Sequence, residues 1–134
     1  MDRTKALKNI QALALRVWDR YTEIYPKLVK FDCPEIRFNA RFSLTAGVYY
    51  WGQHIEISLK HLIVYPDLII NNTMAHELAH TADYYLNGQN VEKIMKIAGG
   101  HGPDWCAIMD DYGIPPNRYH SCPKITKTLK ELIK

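Results

Sequence analysis

His76, Glu77, Leu78, Ala79 and His80 spell HExxH. Four residues is close to one helical turn, so a helix through this segment projects both imidazoles from one face with a carboxylate beside them. Two ring nitrogens so placed can hold one Zn²⁺ at about 2.0–2.1 Å, and the intervening glutamate is near enough to take a proton from a water on the ion. That is the chemistry of a zinc hydrolase. It predicts one Zn²⁺ per chain, with His76 and His80 as ligands and Glu77 as the catalytic base.

A catalytic zinc usually has three protein ligands and an open position. His101 is the best third candidate: it lies 21 positions after His80, within Gly99-Gly100-His101-Gly102-Pro103-Asp104-Trp105. Glycines on both sides let the backbone approach closely, and Pro103 reads as the first position of a following helix. Glu92, Asp83 and Asp104 are rival ligands, since carboxylates also complete such sites. Asp83, three residues past His80 and seven past His76, also shares their face. From there its carboxylate could hydrogen-bond a ligand's distal N–H and fix the tautomer.

The element that must carry the motif is a helix over residues 66–87, with Pro66 at its start, Asp67 in the first turn and Gly88 just past its end. Leu68, Ile69, Ile70, Met74, Ala75, Leu78, Ala79, Ala82, Tyr85 and Leu86 clothe so much of it that it must be largely buried. Asn71, Asn72 and Thr73 are poor helix formers, and Asn72 or Thr73 could cap a new helix there. His76 and His80 stay in register in either case.

MAHELAH at 74–80, GHGPDW at 100–105 with Met109 after it, Thr45-Ala46-Gly47 ahead of Ile55-Glu56-Ile57-Ser58, and Arg118-Tyr119-His120 near the end together resemble the SprT-like metallopeptidase family. That family includes the DNA–protein crosslink protease Spartan, and the resemblance spans most of residues 3–123. It implies a zincin-like minimal protease core, with His76, His80 and His101 on zinc and Glu77 as base. The cysteine-rich zinc modules often found in such proteins are not seen in residues 1–134. The cysteines are Cys33, Cys106 and Cys122, with no CxxC pair, so a four-cysteine structural zinc is excluded.

At 134 residues, 47% hydrophobic and 23% charged, the chain reads as one SprT-like domain over residues 1–134. An odd cysteine count, no signal peptide and no apolar run of membrane length predict a soluble, cytoplasmic protein away from membranes. Leu7, Ile10, Leu13, Val17, Tyr21 and Ile24 recur at helical spacing over Thr4–Tyr25 and predict a scaffold helix. After Pro26 the pattern alternates, with Ile36 and Phe38, then Gly47–Tyr50, then Ile55, Ile57 and Leu59 beyond a turn at Trp51-Gly52-Gln53. The fold class is therefore α+β: N-terminal helix, small antiparallel sheet, HExxH helix and C-terminal helices. One edge of the sheet is a candidate rail for a protein or peptide substrate. His54 and His61 read as surface or satisfied histidines.

Ile125, Leu129, Leu132 and Ile133 give residues 124–134 an apolar face opposite Lys124, Lys127, Lys130 and Lys134. This predicts a terminal helix with a solvated basic face. With the net charge of +3, those lysines are the only resource for weak, salt-sensitive association with DNA. Arg118, Tyr119 and His120 are candidate donors to a developing oxyanion, a role worth about 3 kcal/mol in such sites. The leading function is a zinc-dependent endopeptidase, its zinc-bound water activated by Glu77, acting on proteins including those attached to DNA. A zinc-containing binding module with little or no turnover would keep the metal and bind without cleaving. A helical scaffold with a coincidental HExxH would purify without metal.

Overall fold

The computed structural model describes residues 1–116 and 122–133. Helix α1 runs Arg3–Ile24 and starts where the Asp2 side chain accepts from the Lys5 backbone N–H at 3.1 Å. Its buried face, Ile10, Ala14, Val17, Trp18 and Tyr21, matches the expected spacing and packs against the strands and the motif helix. Strands β1 (Glu35–Asn39), β2 (Gly47–Tyr50) and β3 (His54–Ser58) follow. Then come α2 (Leu59–Val64), α3 (Pro66–Leu68), α4 (Met74–Leu86), α5 (Val91–Met95), α6 (Pro103–Tyr112) and α7 (Leu129–Leu132). The α+β class is as the sequence predicts.

The sheet differs from the antiparallel expectation. Its order is β1-β3-β2, with β2 antiparallel to β3 but β1 parallel to it. Ile55 and Ile57 of β3 are wholly buried, so this strand takes the centre, and the chain leaving β1 must cross it before turning back as β2. The seven residues 40–46 span that distance, roughly two strand spacings of about 4.8 Å. Strand periodicity reports which face is buried. It carries no information on strand order, so a meander and this crossover read alike.

The helix predicted over residues 66–87 is continuous but not uniform. Ile69–Thr73 forms one wide π turn between α3 and α4. Thr73 keeps right-handed helical angles and makes no cap hydrogen bond; its hydroxyl instead donates to the Leu68 carbonyl at 3.3 Å. The weak helix formers Asn71, Asn72 and Thr73 are thus accommodated by an extra residue in the turn rather than by a break.

Two more expectations change. Leu59 begins a helix rather than ending a strand, because the Ser58 side chain caps α2 by accepting from the His61 N–H at 3.2 Å. The terminal helix is confined to Leu129–Leu132. Residues 124–128 form no helix; there the Ile125 N–H bonds the Ser43 carbonyl at 2.9 Å and the Ile125 side chain is buried. Lys124, Lys127 and Lys130 are exposed but do not share one helical face. Among the described residues no helix is long and apolar enough to cross a membrane.

Candidate metal centre

Every residue from Met74 to Asp83 on α4 is buried. Tyr21 of α1 fixes the helix from below, its hydroxyl donating to the Ala75 carbonyl at 2.9 Å. His76, Glu77 and His80, 6–7% exposed, show only their tips to a cleft of about 360 Å³. His101 enters from the other side on a tight reversal. Ala98, Gly99 and Gly100 all have positive φ, and Gly100, at φ 90°, sits where an added Cβ would lie 3.3 Å from the Trp51 ring. Only glycine combines that backbone with that contact at no cost. Pro103 then opens α6 at its first position, as the sequence predicts.

The three histidines meet through the same ring atom. His80 Nε2 lies 3.1 Å from His101 Nε2, which lies 3.4 Å from His76 Nε2. Three nitrogens each 2.0–2.1 Å from one ion at tetrahedral angles would be about 3.3 Å apart. Burial, then the neighbouring His76 and His101, hold the His80 pKa well below its ordinary value, which keeps its ring neutral and able to ligate. The donor set and its spacing, with the His80 ring neutral, fit a metal ion such as zinc, and these three residues form the candidate metal group.

Trp105, fully buried at the start of α6, is the floor of the site. It stacks on His80 with centroids 5.3 Å apart and meets His76 and His101 edge-on at 4.9 and 4.7 Å. Trp51, at the turn between β2 and β3, closes the other side of His80 at 5.7 Å. Spacing along the chain gives no signal for either contact, because both join elements remote in sequence.

Glu77 stands beside His76, Oε1 to Nε2 3.9 Å. Burial pushes its carboxyl up to about 8, while the Tyr49 backbone amide facing it pulls the other way. The strand carrying that amide is pressed against the helix, and an added Cβ on Gly47 would lie 2.8 Å from Thr73 Cγ2 and 3.3 Å from Glu77 Cγ.

The rival ligands do not converge on the histidines. Glu92 is exposed and paired with Lys96 at 3.2 Å. Asp104 lies in the first turn of α6, and its charge helps raise the Asp83 carboxyl. The expectation that Asp83 would orient a ligand histidine is not met. Its Oδ1 accepts from Asn87 Nδ2 at 2.5 Å one turn further along α4, and His80 Nδ1, buried, has no hydrogen-bond partner. Asp83 faces a smaller cavity with Asp104 and Trp105, on the far side of the segment that carries His101. Arg118, Tyr119 and His120 lie outside the described residues. His61 is buried and satisfied, by Ser58 Oγ at Nδ1 (2.6 Å) and the Pro123 carbonyl at Nε2 (2.7 Å), and His54 pairs with Glu56 at 2.8 Å.

The SprT-like family profile matches residues 14–122. A protein SprT of Pseudomonas putida strain F1 is 30% identical over 94 residues, 69% of this chain and 52% of that protein. A protein SprT of Actinobacillus succinogenes is 29% identical over 92 residues, 67% of this chain and 49% of its own length. The chain spans about half the length of the curated relatives it matches. No solved structure matches it significantly.

Proposed function

This chain belongs to the SprT-like family, and from that membership and the meeting of His76, His80 and His101 we propose that it is a zinc-dependent endopeptidase with Glu77 as general base. The observation that carries the reading is the pair of Nε2 separations, 3.1 and 3.4 Å, beside a buried carboxyl. A zinc ion held by these nitrogens supplies a Lewis acid that acidifies water and polarises a peptide carbonyl. Glu77 takes the proton of the attacking water and returns it to the leaving amine. Burial raises the affinity of its carboxyl for a proton, which suits a group that must take one from the attacking water.

The edge of β2 is the substrate rail in this reading. The Ser58 N–H bonds the Ala46 carbonyl at 2.8 Å, and with Gly47 paired to Ile57 and Tyr49 to Ile55 the alternation turns the backbone groups of Gly47 and Tyr49 away from β3. An extended peptide added along that edge lies in the cleft that holds the histidines and Glu77. Exposed Lys124, Lys127 and Lys130 support a weak, salt-sensitive association with DNA that would bring the enzyme to DNA-bound proteins. The three cysteines, all unpaired, suit a reducing, cytoplasmic setting.

The test is elemental analysis together with cleavage of an unfolded protein. The purified chain should hold one zinc and hydrolyse the substrate, and Glu77→Gln should keep the zinc while slowing cleavage about 10²–10⁴-fold. Zinc retention without cleavage by the unaltered chain would leave a zinc-containing binding module, and absence of zinc would remove both readings.

A further inference from the structure

We propose that the cleft selects peptides with a large apolar side chain next to the scissile bond, met by Leu44 and Met95. The inference rests on the peptidase reading and names the substrate class of that site. Leu44 and Met95 both line the cleft, and although large and apolar they are 67% and 44% exposed. Leu44 does not project on a loose loop. The segment around it is pinned on both sides, at Ser43 O by the Ile125 N–H (2.9 Å), at Ser43 Oγ by the Lys60 ammonium (3.2 Å) and at Ala46 O by the Ser58 N–H (2.8 Å). A leucine held in water by three anchoring hydrogen bonds is a preformed apolar wall. Met95 ends α5, where its sulfur lies 3.4 Å from the position of a Cβ on Gly100, so it borders the segment that presents His101. Its unbranched thioether adapts to side chains of different shape.

The charges in the cleft argue the same way. Among the described residues lining it there is no lysine, arginine or aspartate, and the one glutamate is Glu77. A charged substrate side chain entering here would lose hydration, with Glu77 the one carboxylate and no lysine or arginine among the described lining residues to offset that cost, whereas an apolar one would remove both its own surface and those of Leu44 and Met95 from water.

Quenched fluorescent peptides of one sequence, differing only in whether leucine, phenylalanine, serine, lysine or aspartate flanks the bond, test this on the zinc-loaded protein. Leucine and phenylalanine peptides should give kcat/KM at least about 10-fold above the serine peptide, with the charged peptides lowest. Leu44→Glu and Met95→Glu, both surface changes, should each lower the leucine rate about 10-fold and raise the lysine rate. The same peptides are titrated by anisotropy onto Glu77→Gln, so that selection is read without turnover. Cleavage with no apolar preference, or a preference unmoved by both variants, overturns the inference and leaves the peptidase reading standing. If nothing is cleaved, the peptidase reading fails and anisotropy decides the inference: tighter binding of the leucine and phenylalanine peptides, weakened by either variant, upholds it, and equal binding of all five peptides overturns it.

Discussion

Gly47→Ala is a single methyl group placed between β2, the proposed substrate rail, and the motif helix. Gly47 has no positive φ, so alanine meets no backbone strain there and the effect is steric alone. The new Cβ would lie 2.8 Å from Thr73 Cγ2, a separation real structures essentially never show, and 3.3 Å from both Glu77 Cγ and Ile57 Cδ1. Overpacking of this kind costs about 1–3 kcal/mol. In a domain of this size that corresponds to roughly 3–10 °C in Tm. Relief comes from β2 lifting off the helix or from Glu77 moving, and either shifts the base relative to the rail, so activity should fall about 10–100-fold. Zinc content should not change, since the atoms nearest the added methyl belong to Thr73, Glu77 and Ile57 rather than to a histidine.

Thr73→Ser supplies the control. It removes Cγ2 and leaves the hydroxyl that bonds the Leu68 carbonyl. Alone it should cost on the order of 1 kcal/mol for the buried methyl it removes. Combined with Gly47→Ala it should recover stability, with a coupling of about 1 kcal/mol or more in a double-mutant cycle. Thermal unfolding of the four proteins, with peptidase rates and zinc analysis, measures every term. An equal Gly47→Ala penalty with threonine or serine at position 73 would refute the argument that this contact sets the strand-to-helix distance.

His101→Ala should weaken zinc binding by at least about 100-fold, since a direct ligand counts for more than the outer-shell partners whose loss costs 10–100-fold; competition with a chromophoric chelator reads it, and unchanged affinity would move the third ligand elsewhere. Burial, opposed by Asn87 and reinforced by the Asp104 charge, raises the Asp83 carboxyl to about 6 from 3.8. An acid whose folded pKa is raised stabilises fully below its unfolded value and loses that contribution as pH rises through the folded one. Asp83→Asn should therefore add on the order of 1–2 kcal/mol above about pH 6 and nothing near pH 4, in denaturant melts across that range; equal shifts at both ends would contradict the assignment. Neutralising Lys124, Lys127 and Lys130 should flatten the log–log salt dependence of DNA binding by about 0.7–0.9 for each phosphate that no longer meets a lysine. Identical slopes before and after would remove these residues from the DNA interface.

The chain's local chemistry could be read directly from the sequence. His76 and His80 lie one turn apart, so any helix through them puts both rings and Glu77 on one face, and the apolar residues around them require that helix to be buried. Gly99, Gly100 and Pro103 marked a tight turn entering a helix, which is where His101 sits. Periodicity identified the inward faces of α1, β1 and β3 because it reflects burial, a property of each segment by itself. Strand order, the π turn and the short terminal helix did not follow, since each is settled by contacts between remote segments: the burial of Ile55 and Ile57, the packing of Thr73 against Gly47, and the Ile125 bond to Ser43. Spacing nominated Asp83 as a histidine partner, but the direction of a carboxylate depends on what else surrounds it, and Asn87 takes it. The sequence alone determined the types of the candidate metal-binding and proton-transfer groups and the helix that spaces them. Only the tertiary structure brought His101 within 3.1 Å of His80, slid Trp105 beneath all three rings and buried Glu77 against β2, because those distances arise from packing among segments remote in sequence, as in the bond from Tyr21 to Ala75, 54 residues further on.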